Sequence, residues 1–352
     1  MKKCFGGKLF DIAKGGMFIL ISWTKLTFFA CVFVFSFSSA VYAAEEQSRE
    51  QVLEKRMDFY IKYSSDILPW YYLAAIDQFE RNIQEVRKDI PKREGVVAIQ
   101  FTDEFWTGVL NPISDDTNLN SIAFFNGHGF DGNQDGIADR KDDDDVMTSL
   151  TEYLIQFGVS EKGFETALKE YYQRDDTVKQ IMTNVEIYKE FETLDLDDRA
   201  FPLAIQHNYS YRSTWGDSRG WGGRRMHEGT DLFASYSVPV KSTTFGKIET
   251  MGWNDYGGWR IGIRDVNNTY HYYAHLSGYE KGIKEGDILA PGDVIGYVGS
   301  SGYGKEGTSG KFPPHLHYGM YKYNGRVEWA YDPFPSLKLW EQKEKSKKKN
   351  NQ

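Results

Sequence analysis

The sequence predicts a multidomain α + β chain, in which an all-α half precedes a mostly antiparallel β half. The length of 352 residues is typical of two domains. Apolar residues recur at helical spacing between about Arg56 and Phe191, and short alternating apolar runs separated by glycine-containing turns follow "TLDLDDRAFP". We therefore expect a helical domain over residues 46–195, a β domain over residues 197–337 and a basic tail over residues 338–352.

The first 43 residues have the composition of an export signal. Lysines precede the apolar run Leu26–Phe37, and Val41 and Ala43 fit the small-residue rule of a secretory cleavage site. The alternative is an uncleaved anchor, because the apolar stretch that ends at Ala43 is near the lower limit of about 17 residues for a membrane span. We expect cleavage and a location outside the cytoplasmic membrane, with membrane association only if the segment is retained.

Charge and cysteine content exclude two kinds of site. Removal of residues 1–43, which carry five lysines and Asp11, would change the formal net charge from -8 to -12. Such an acidic chain is a poor partner for nucleic acid. The basic run "KEKSKKKNNQ" is the exception, and a run of this composition is usually disordered. Both cysteines, Cys4 and Cys31, lie in the first 43 residues, so a metal bound elsewhere would need His, Asp or Glu ligands.

Four stretches of the first half have helical periodicity. Leu73, Ile76, Ile83 and Val86 recur at helical spacing in "DILPWYYLAAIDQFERNIQEVRK", and Pro69 suits a first-turn position. The other three stretches are "DVMTSLTEYLIQFG", "FETALKEYYQ" and "DTVKQIMTNVEIYKEF". We expect these stretches to form one predominantly α domain.

The acidic stretch "FDGNQDGIADRKD" has the spacing of a calcium-binding loop. A glycine at position six makes the sharp turn, and the oxygen ligands favour a hard cation. The final position is Asp rather than the usual Glu, which shortens the reach of the carboxylate. The alternative is a solvated acidic loop. The residues at positions 1, 3, 5, 6, 7, 9 and 12 are Asp131, Asn133, Asp135, Gly136, Ile137, Asp139 and Asp142.

Five of the seven histidines lie in three short clusters of the β half. In the first cluster His227 precedes Asp231 by four residues, and in the last "HLH" places His315 and His317 on the same face of a strand. One histidine alone is usually a structural side chain. Three clusters without a cysteine favour a divalent metal, and imidazole with carboxylate suits zinc with an open coordination position.

The middle cluster is the stretch "TYHYYAHL". In a regular strand His271, Tyr273 and His275 point to the same face. We expect His271 to support the site through a metal ligand or to lie on the surface, rather than to bind the metal itself.

The three motifs resemble those of the lysostaphin/LytM-type zinc endopeptidases of bacterial cell walls. That family has His-x-x-x-Asp, a later Tyr-x-His and then His-x-His, and here "HEGTD", "YAHL" and "HLH" occur in that order within about residues 201–334. The resemblance implies one zinc ion and a catalytic pair of histidines. The implied zinc ligands are His227, Asp231 and His317, and the implied catalytic residues are His315 and His275.

The chemistry implied by the resemblance is hydrolysis by an activated water. Three protein ligands leave a fourth zinc position for water, whose pKa falls towards about 7 on binding. His315 would take the proton of this water and pass it to the leaving amine, and His275 would stabilise the oxyanion. The assignment of these two roles between the two histidines stays open.

The helical half resembles the lysozyme-like lytic transglycosylases. "LAAIDQFE", "GVVAIQFTDEFW" and the acidic loop before "VMTSLTEYLIQFG" occur in that family's order, over about residues 67–188. The resemblance implies that Glu80, the last residue of the first motif, is the general acid. Arg81 follows Glu80 where that family usually has serine, and "GVVAIQF" stands where it has "GAMGLMQF". Cleavage of the glycan strand and binding without cleavage therefore both stay open.

Both resemblances imply peptidoglycan as the substrate. We expect an exported, monomeric hydrolase of the cell wall whose β domain cuts peptide stems or crosslinks. The alternative is a non-catalytic wall-binding scaffold or an activator of other hydrolases, which predicts a missing ligand. All five motif positions are present, and this favours the enzyme.

Overall fold

The computed structural model describes residues 46–350, so the predicted export signal over residues 1–43 lies outside the described residues. From Leu53 onward the described residues form one compact unit. Within the described part of the chain, no helix is long and apolar enough to cross a membrane.

Seven of the described helices occupy the first half. All four predicted helices begin and end within four residues of their expected bounds; α6 begins three residues before the predicted stretch. Helix α2 packs against α7 around a core that includes Leu73, Trp106, Ile181 and Tyr188. The structure therefore confirms a helical half, while its relation to the lysozyme-like fold stays a prediction. The described part of α1 covers residues 46–63, and the other bounds are Trp70–Val86 for α2, Asp103–Thr107 for α3, Leu119–Phe124 for α4, Asp143–Ile155 for α5, Glu161–Tyr172 for α6 and Asp175–Phe191 for α7.

A buried carboxylate, that of Asp77, connects three parts of the helical half. Its oxygens accept hydrogen bonds from the Tyr60 hydroxyl and the Ala98 backbone N–H, and from Arg81 Nε at 2.8 Å. A buried charge is tolerated when it is paired and hydrogen-bonded in this way. Arg81, at which the sequence departs from the transglycosylase motif, thus stabilises the fold as an ion-pair partner of Asp77.

Twelve described strands form the second half, and every pair is antiparallel, which confirms the predicted β architecture. The strand bounds are Tyr209–Tyr211 (β1), Ser218–Arg219 (β2), Arg225–Met226 (β3), Thr230–Ala234 (β4), Pro239–Lys241 (β5), Gly246–Asn254 (β6), Gly258–Arg264 (β7), Thr269–Tyr279 (β8), Ile288–Leu289 (β9), Val294–Val298 (β10), His315–Tyr323 (β11) and Glu328–Tyr331 (β12). The main sheet has the order β1-β4-β11-β8-β7-β6-β9, and β2 and β3 form a separate hairpin.

The C-terminal segment is helical, and the expectation of a disordered basic tail is wrong. Helix α8 spans Phe334–Asn350. Leu337 and Trp340 are buried in the β core, and Glu341 accepts hydrogen bonds from two tyrosine hydroxyls of β1 at 2.7 Å each. The first turns of the helix therefore attach to the β half, and the lysine-rich stretch continues the same helix.

Strand β8 contains a bulge at His275. Between Tyr273 and Leu276 the strand advances three residues while β7 advances two, and His275 has a φ of 63°. The extra residue reverses which side chains face the front of the sheet. His271 is buried behind the sheet, with Nε2 3.2 Å from Asp265, so the expectation that His271 and His275 share a face is wrong.

Candidate active site

His227, Asp231 and His317 meet at the front of the sheet. Strands β4 and β11 are neighbours, with Asp231 directly opposite His317. His227 Nε2 lies 2.8 Å from His317 Nδ1, and Asp231 Oδ1 lies 3.1 Å from each of these nitrogens. Among residues 46–350, no other group of three or more His, Cys, Asp or Glu side chains is placed to hold a metal ion.

The donor set of this group fits a zinc ion. Two imidazole nitrogens and one carboxylate oxygen suit zinc, and three protein ligands leave a fourth position open. Thr214 supports two of the donors: its carbonyl accepts a hydrogen bond from His227 Nδ1 at 2.7 Å, and its hydroxyl accepts one from the Asp231 N–H at 3.0 Å. Because Nδ1 of His227 carries the proton that is donated to Thr214, its Nε2 has a free lone pair directed at Asp231 and His317. Sequence reasoning missed Thr214, because it belongs to none of the three motifs.

Burial and hydrogen bonding hold these side chains in the protonation states that a cation needs. Burial lowers the pKa of His317 below its usual value. For Asp231, burial alone would raise the pKa, but the neighbouring imidazoles of His227 and His317 outweigh it and keep that pKa well below the usual range. The site therefore presents a neutral imidazole beside an ionised carboxylate near neutral pH.

His315 and His275 lie side by side next to this group, with ring centroids 4.8 Å apart. Each donates Nδ1–H to a backbone carbonyl at 2.8 Å, His315 to Pro313 and His275 to Ser301. His315 Nε2 lies 3.7 Å from Asp231 Oδ1. Burial lowers the pKa of both histidines, and that of His275 falls well below its usual value. Both rings can therefore accept a proton at Nε2.

Arg219 binds the second oxygen of Asp231. Its Nη2 pairs with Oδ2, while Oδ1 faces the histidines. The ion pair fixes the plane of the carboxylate, so that one oxygen stays directed at the candidate metal position. Arg219 lies on the two-residue strand β2 with no surrounding motif, and the sequence carried no signal for it.

A cleft of about 530 Å³ opens over the five side chains. Aromatic rings form much of its wall. One of these wall residues, Tyr303, is stacked on Trp221 at a centroid distance of 4.8 Å. An open, partly aromatic cleft of this size can hold a short peptide. Besides the five, its lining includes Arg219, Arg225, Tyr256, Tyr272 and Phe312.

Glu80 does not line this cleft. It lies half-buried on α2, where its carboxylate accepts a hydrogen bond from the Tyr172 hydroxyl at 2.6 Å. Burial raises the pKa of Glu80 to about 7, despite the opposing effect of the Tyr172 hydrogen bond. The carboxyl is therefore partly protonated at neutral pH, as a general acid must be. Its role as an acid stays a prediction.

The acidic loop of residues 131–142 is organised by Asp145, which sequence reasoning missed. The buried Asp145 carboxylate accepts hydrogen bonds from the N–H groups of Gly132 and Asp139 at 2.7 Å each. Asp142, the predicted last calcium ligand, accepts hydrogen bonds from backbone N–H groups as the N-cap of α5.

Two other predicted calcium ligands, Asp131 and Asp135, also accept hydrogen bonds from the protein's own backbone. Asp131 accepts hydrogen bonds from the N–H groups of Gln134 at 2.6 Å and Gly136 at 2.8 Å, and Asp135 accepts one from Ile137 at 3.0 Å. Asn133 Nδ2 donates to Asp135 at 3.2 Å. Among the described residues, Asp131, Asp135 and Asp142 are not found as a group of carboxylates placed to hold a metal ion, and calcium binding stays a prediction.

Comparison with known proteins places the chain among peptidases. Residues 225–329 match the model of Peptidase family M23. The L-Ala--D-Glu endopeptidase of Bacillus subtilis (strain 168) is 53% identical over 308 residues, which cover 87% of this chain and 94% of that protein. Lysostaphin of Staphylococcus simulans is 37% identical over 115 residues, covering 32% of this chain and 22% of that protein.

The solved catalytic domain of lysostaphin from Staphylococcus simulans aligns with a TM-score of 0.30 and 33% identity, over 38% of this chain and 94% of that domain. The alignment with the Bacillus subtilis relative is much longer. Its 308 residues exceed the length of the β half and therefore include most of the helical half. The chain therefore belongs to peptidase family M23 and is an endopeptidase.

Proposed function

We propose that the chain is a zinc-dependent peptidoglycan hydrolase that cleaves the L-Ala–D-Glu bond of the stem peptide outside the cytoplasmic membrane. The observation that carries this proposal is the convergence of His227, Asp231 and His317 beside the pair His275 and His315. The choice of bond is supported by the name of the Bacillus subtilis relative, of which the alignment covers 94%.

In this proposal His227 Nε2, Asp231 Oδ1 and His317 Nδ1 hold the zinc ion. When bound there, zinc supplies a Lewis acid that acidifies water and polarises the scissile carbonyl. Arg219 keeps the Asp231 carboxylate in place, and Thr214 keeps His227 in the tautomer that leaves Nε2 unprotonated.

His315 is the better proton acceptor of the two remaining histidines. Burial lowers the pKa of both histidines and the negative charge of Asp231 partly offsets this for each, but the neighbouring His315 and His317 lower the pKa of His275 further. We therefore assign to His315 Nε2 the removal of a proton from the attacking water and its transfer to the leaving amine. Neutral His275 presents an acceptor at Nε2, because its Nδ1–H is bound to Ser301, and can orient that water.

The test is mass spectrometry of the fragments that the full chain releases from purified sacculi. Cleavage of the proposed bond leaves stem peptides with an N-terminal D-Glu and glycan fragments that end in L-Ala, and a chelator should abolish both products. Cleavage only at crosslinks would contradict the choice of bond, and undiminished cleavage in chelator would contradict the role of zinc.

We also propose that the helical half binds glycan strands and that Glu80 is its general acid, because burial raises the pKa of Glu80 to about 7. The test compares His315→Ala with the double variant His315→Ala/Glu80→Gln on sacculi. Release of anhydro-sugar ends by the single variant alone would support the assignment. Release by neither would leave the helical half as a glycan-binding domain, and binding to peptide-free glycan would test that role.

Calcium binding, a monomeric state and the lack of nucleic-acid binding are further proposals.

A further inference from the structure

The hairpin of β2 and β3 places two arginines opposite each other at the cleft. Arg219 and Arg225 are direct cross-strand partners, and both side chains line the cleft. Like charges directly opposite each other on a hairpin destabilise it. The position therefore calls for an explanation other than the stability of the hairpin.

Only one of the two arginines has an anionic partner. Arg219 pairs with Asp231. The half-buried Arg225 forms neither an ion pair nor a side-chain hydrogen bond with any of the described residues, and its Nε is buried without a partner. Its guanidinium carbon lies 5.0 Å from the centre of the Tyr256 ring, so the group is held in place at the wall of the cleft.

A guanidinium in this state is suited to binding an anion from solution. Arginine stays charged at any pH of interest, and its planar fork matches a carboxylate with two parallel hydrogen bonds. Leaving such donors unpaired in a partly buried wall costs free energy, which an incoming carboxylate would recover.

The proposed substrate supplies such a group next to the bond that is cut. A glutamyl residue has two carboxyl groups, and when one continues the peptide chain the other stays free. In an L-Ala–D-Glu bond this free carboxylate lies on the residue that provides the leaving amine, within a few bonds of the reacting carbonyl. A glycine or alanine at that position has no such free carboxylate.

We infer that Arg225 is a specificity-determining residue, which binds the free carboxylate of the glutamyl residue on the leaving side of the scissile bond. This inference rests on the proposed function and deepens it, since it gives the chemical feature by which the cleft selects an acidic stem peptide. The adjacent Arg219 forms an ion pair with Asp231 and fixes the position of the Asp231 carboxylate.

The experiment uses two synthetic peptides that differ in one group. Both contain the L-Ala–D-Glu bond, and the free carboxyl of the glutamyl residue is a carboxylate in one and a primary amide in the other. The zinc-loaded full chain should cleave the carboxylate peptide with a kcat/KM about 10- to 100-fold higher, which corresponds to one hydrogen-bonded charge pair. Arg225→Gln should lower kcat/KM for the carboxylate peptide by that factor and for the amide peptide much less, so that the preference between the two peptides is lost.

Two further variants separate recognition from structure. Arg225→Lys, which keeps the charge, should retain part of the preference for the carboxylate. Arg224→Gln, at the exposed neighbouring residue that does not line the cleft, should behave as the wild type. An equal loss of activity on both peptides in Arg225→Gln would assign Arg225 a structural role and overturn the inference.

The two proposals fail in different ways. Cleavage of both peptides by the wild type without preference would overturn the role of Arg225 alone. Cleavage of neither peptide by a preparation that digests sacculi would show that another bond is cut, and the inference would fall together with the choice of bond.

Discussion

Gly229 lies directly against the imidazole of His317. A Cβ on residue 229 would come within 2.5 Å of His317 Cε1 and 2.8 Å of its Nε2. The φ of Gly229 is not in the left-handed region, so the glycine of "HEGTD" is required for close approach rather than for its backbone conformation. The turn between His227 and Asp231 thereby leaves room for the third member of the candidate metal group.

Gly229→Ala should weaken metal binding. The added methyl group would displace the His317 ring, and disturbing the surroundings of a metal ligand typically costs about 10- to 100-fold in affinity. Competition with a chromophoric chelator measures this directly. Gly220→Ala is the matched control, because no heavy atom lies within 4 Å of a Cβ at that position. Equal zinc affinities of the two variants would show that the ring tolerates the methyl group.

His315→Ala and His275→Ala should each retain zinc and lose rate. Neither ring belongs to the converging group, and removal of a general base typically lowers kcat by about 10²- to 10⁴-fold. Metal analysis and turnover on sacculi separate the two effects. His207→Ala, at an exposed histidine outside the motifs, should have wild-type turnover. Loss of zinc in parallel with loss of rate would instead make either histidine a ligand.

Glu80→Gln should stabilise the protein at high pH only. The pKa of Glu80 is raised from 4.5 to about 7, so between these values the folded state holds a proton that the unfolded state has released. The stability of the wild type therefore falls as pH rises through this window. Glutamine can keep the hydrogen bond from Tyr172 without the charge, and the variant should be more stable by about 2 kcal/mol at pH 8 and nearly equal at pH 5.

Urea unfolding at both pH values measures this difference. Glu152→Gln, at an exposed glutamate of α5, is the matched control. A constant difference between wild type and Glu80→Gln from pH 5 to 8 would contradict the raised pKa.

Calcium should raise the melting temperature of the wild type, and Asp131→Ala/Asp135→Ala should abolish this effect. A ligand that binds only the folded state stabilises it by mass action. Both carboxylates already accept backbone hydrogen bonds, so the double variant should also melt lower in chelator. The quantity to compare is therefore the change in melting temperature that calcium causes. Identical melting of the wild type in calcium and in chelator would exclude calcium binding.

The meeting of His227, Asp231 and His317 was implied by the resemblance of three ordered motifs to those of a known peptidase family, because strand alternation alone places His315 and His317 on one face and does not choose between them. Antiparallel pairing of β4 with β11 then aligns Asp231 with His317. The strand pattern failed at His271, because a bulge at His275 inserts one residue and alternation cannot reveal such an insertion.

Other features were invisible because they depend on tertiary contacts. Arg219 and Thr214 reach the site from segments without periodicity or motif. In the acidic loop, spacing alone could not show that Asp142 also caps α5 or that the buried Asp145 carboxylate turns inward. The apolar positions of α8 were obscured by the surrounding lysines, although Leu337 and Trp340 complete the β core.

The zinc content of the purified full chain tests the central claim most directly. Elemental analysis of the wild type should give about one zinc per chain, as expected for a mononuclear site. His317→Ala should give a metal-free and inactive protein, and His315→Ala a zinc-containing protein with a greatly reduced rate. A His317→Ala protein that lacks zinc but hydrolyses sacculi at the wild-type rate would contradict the account.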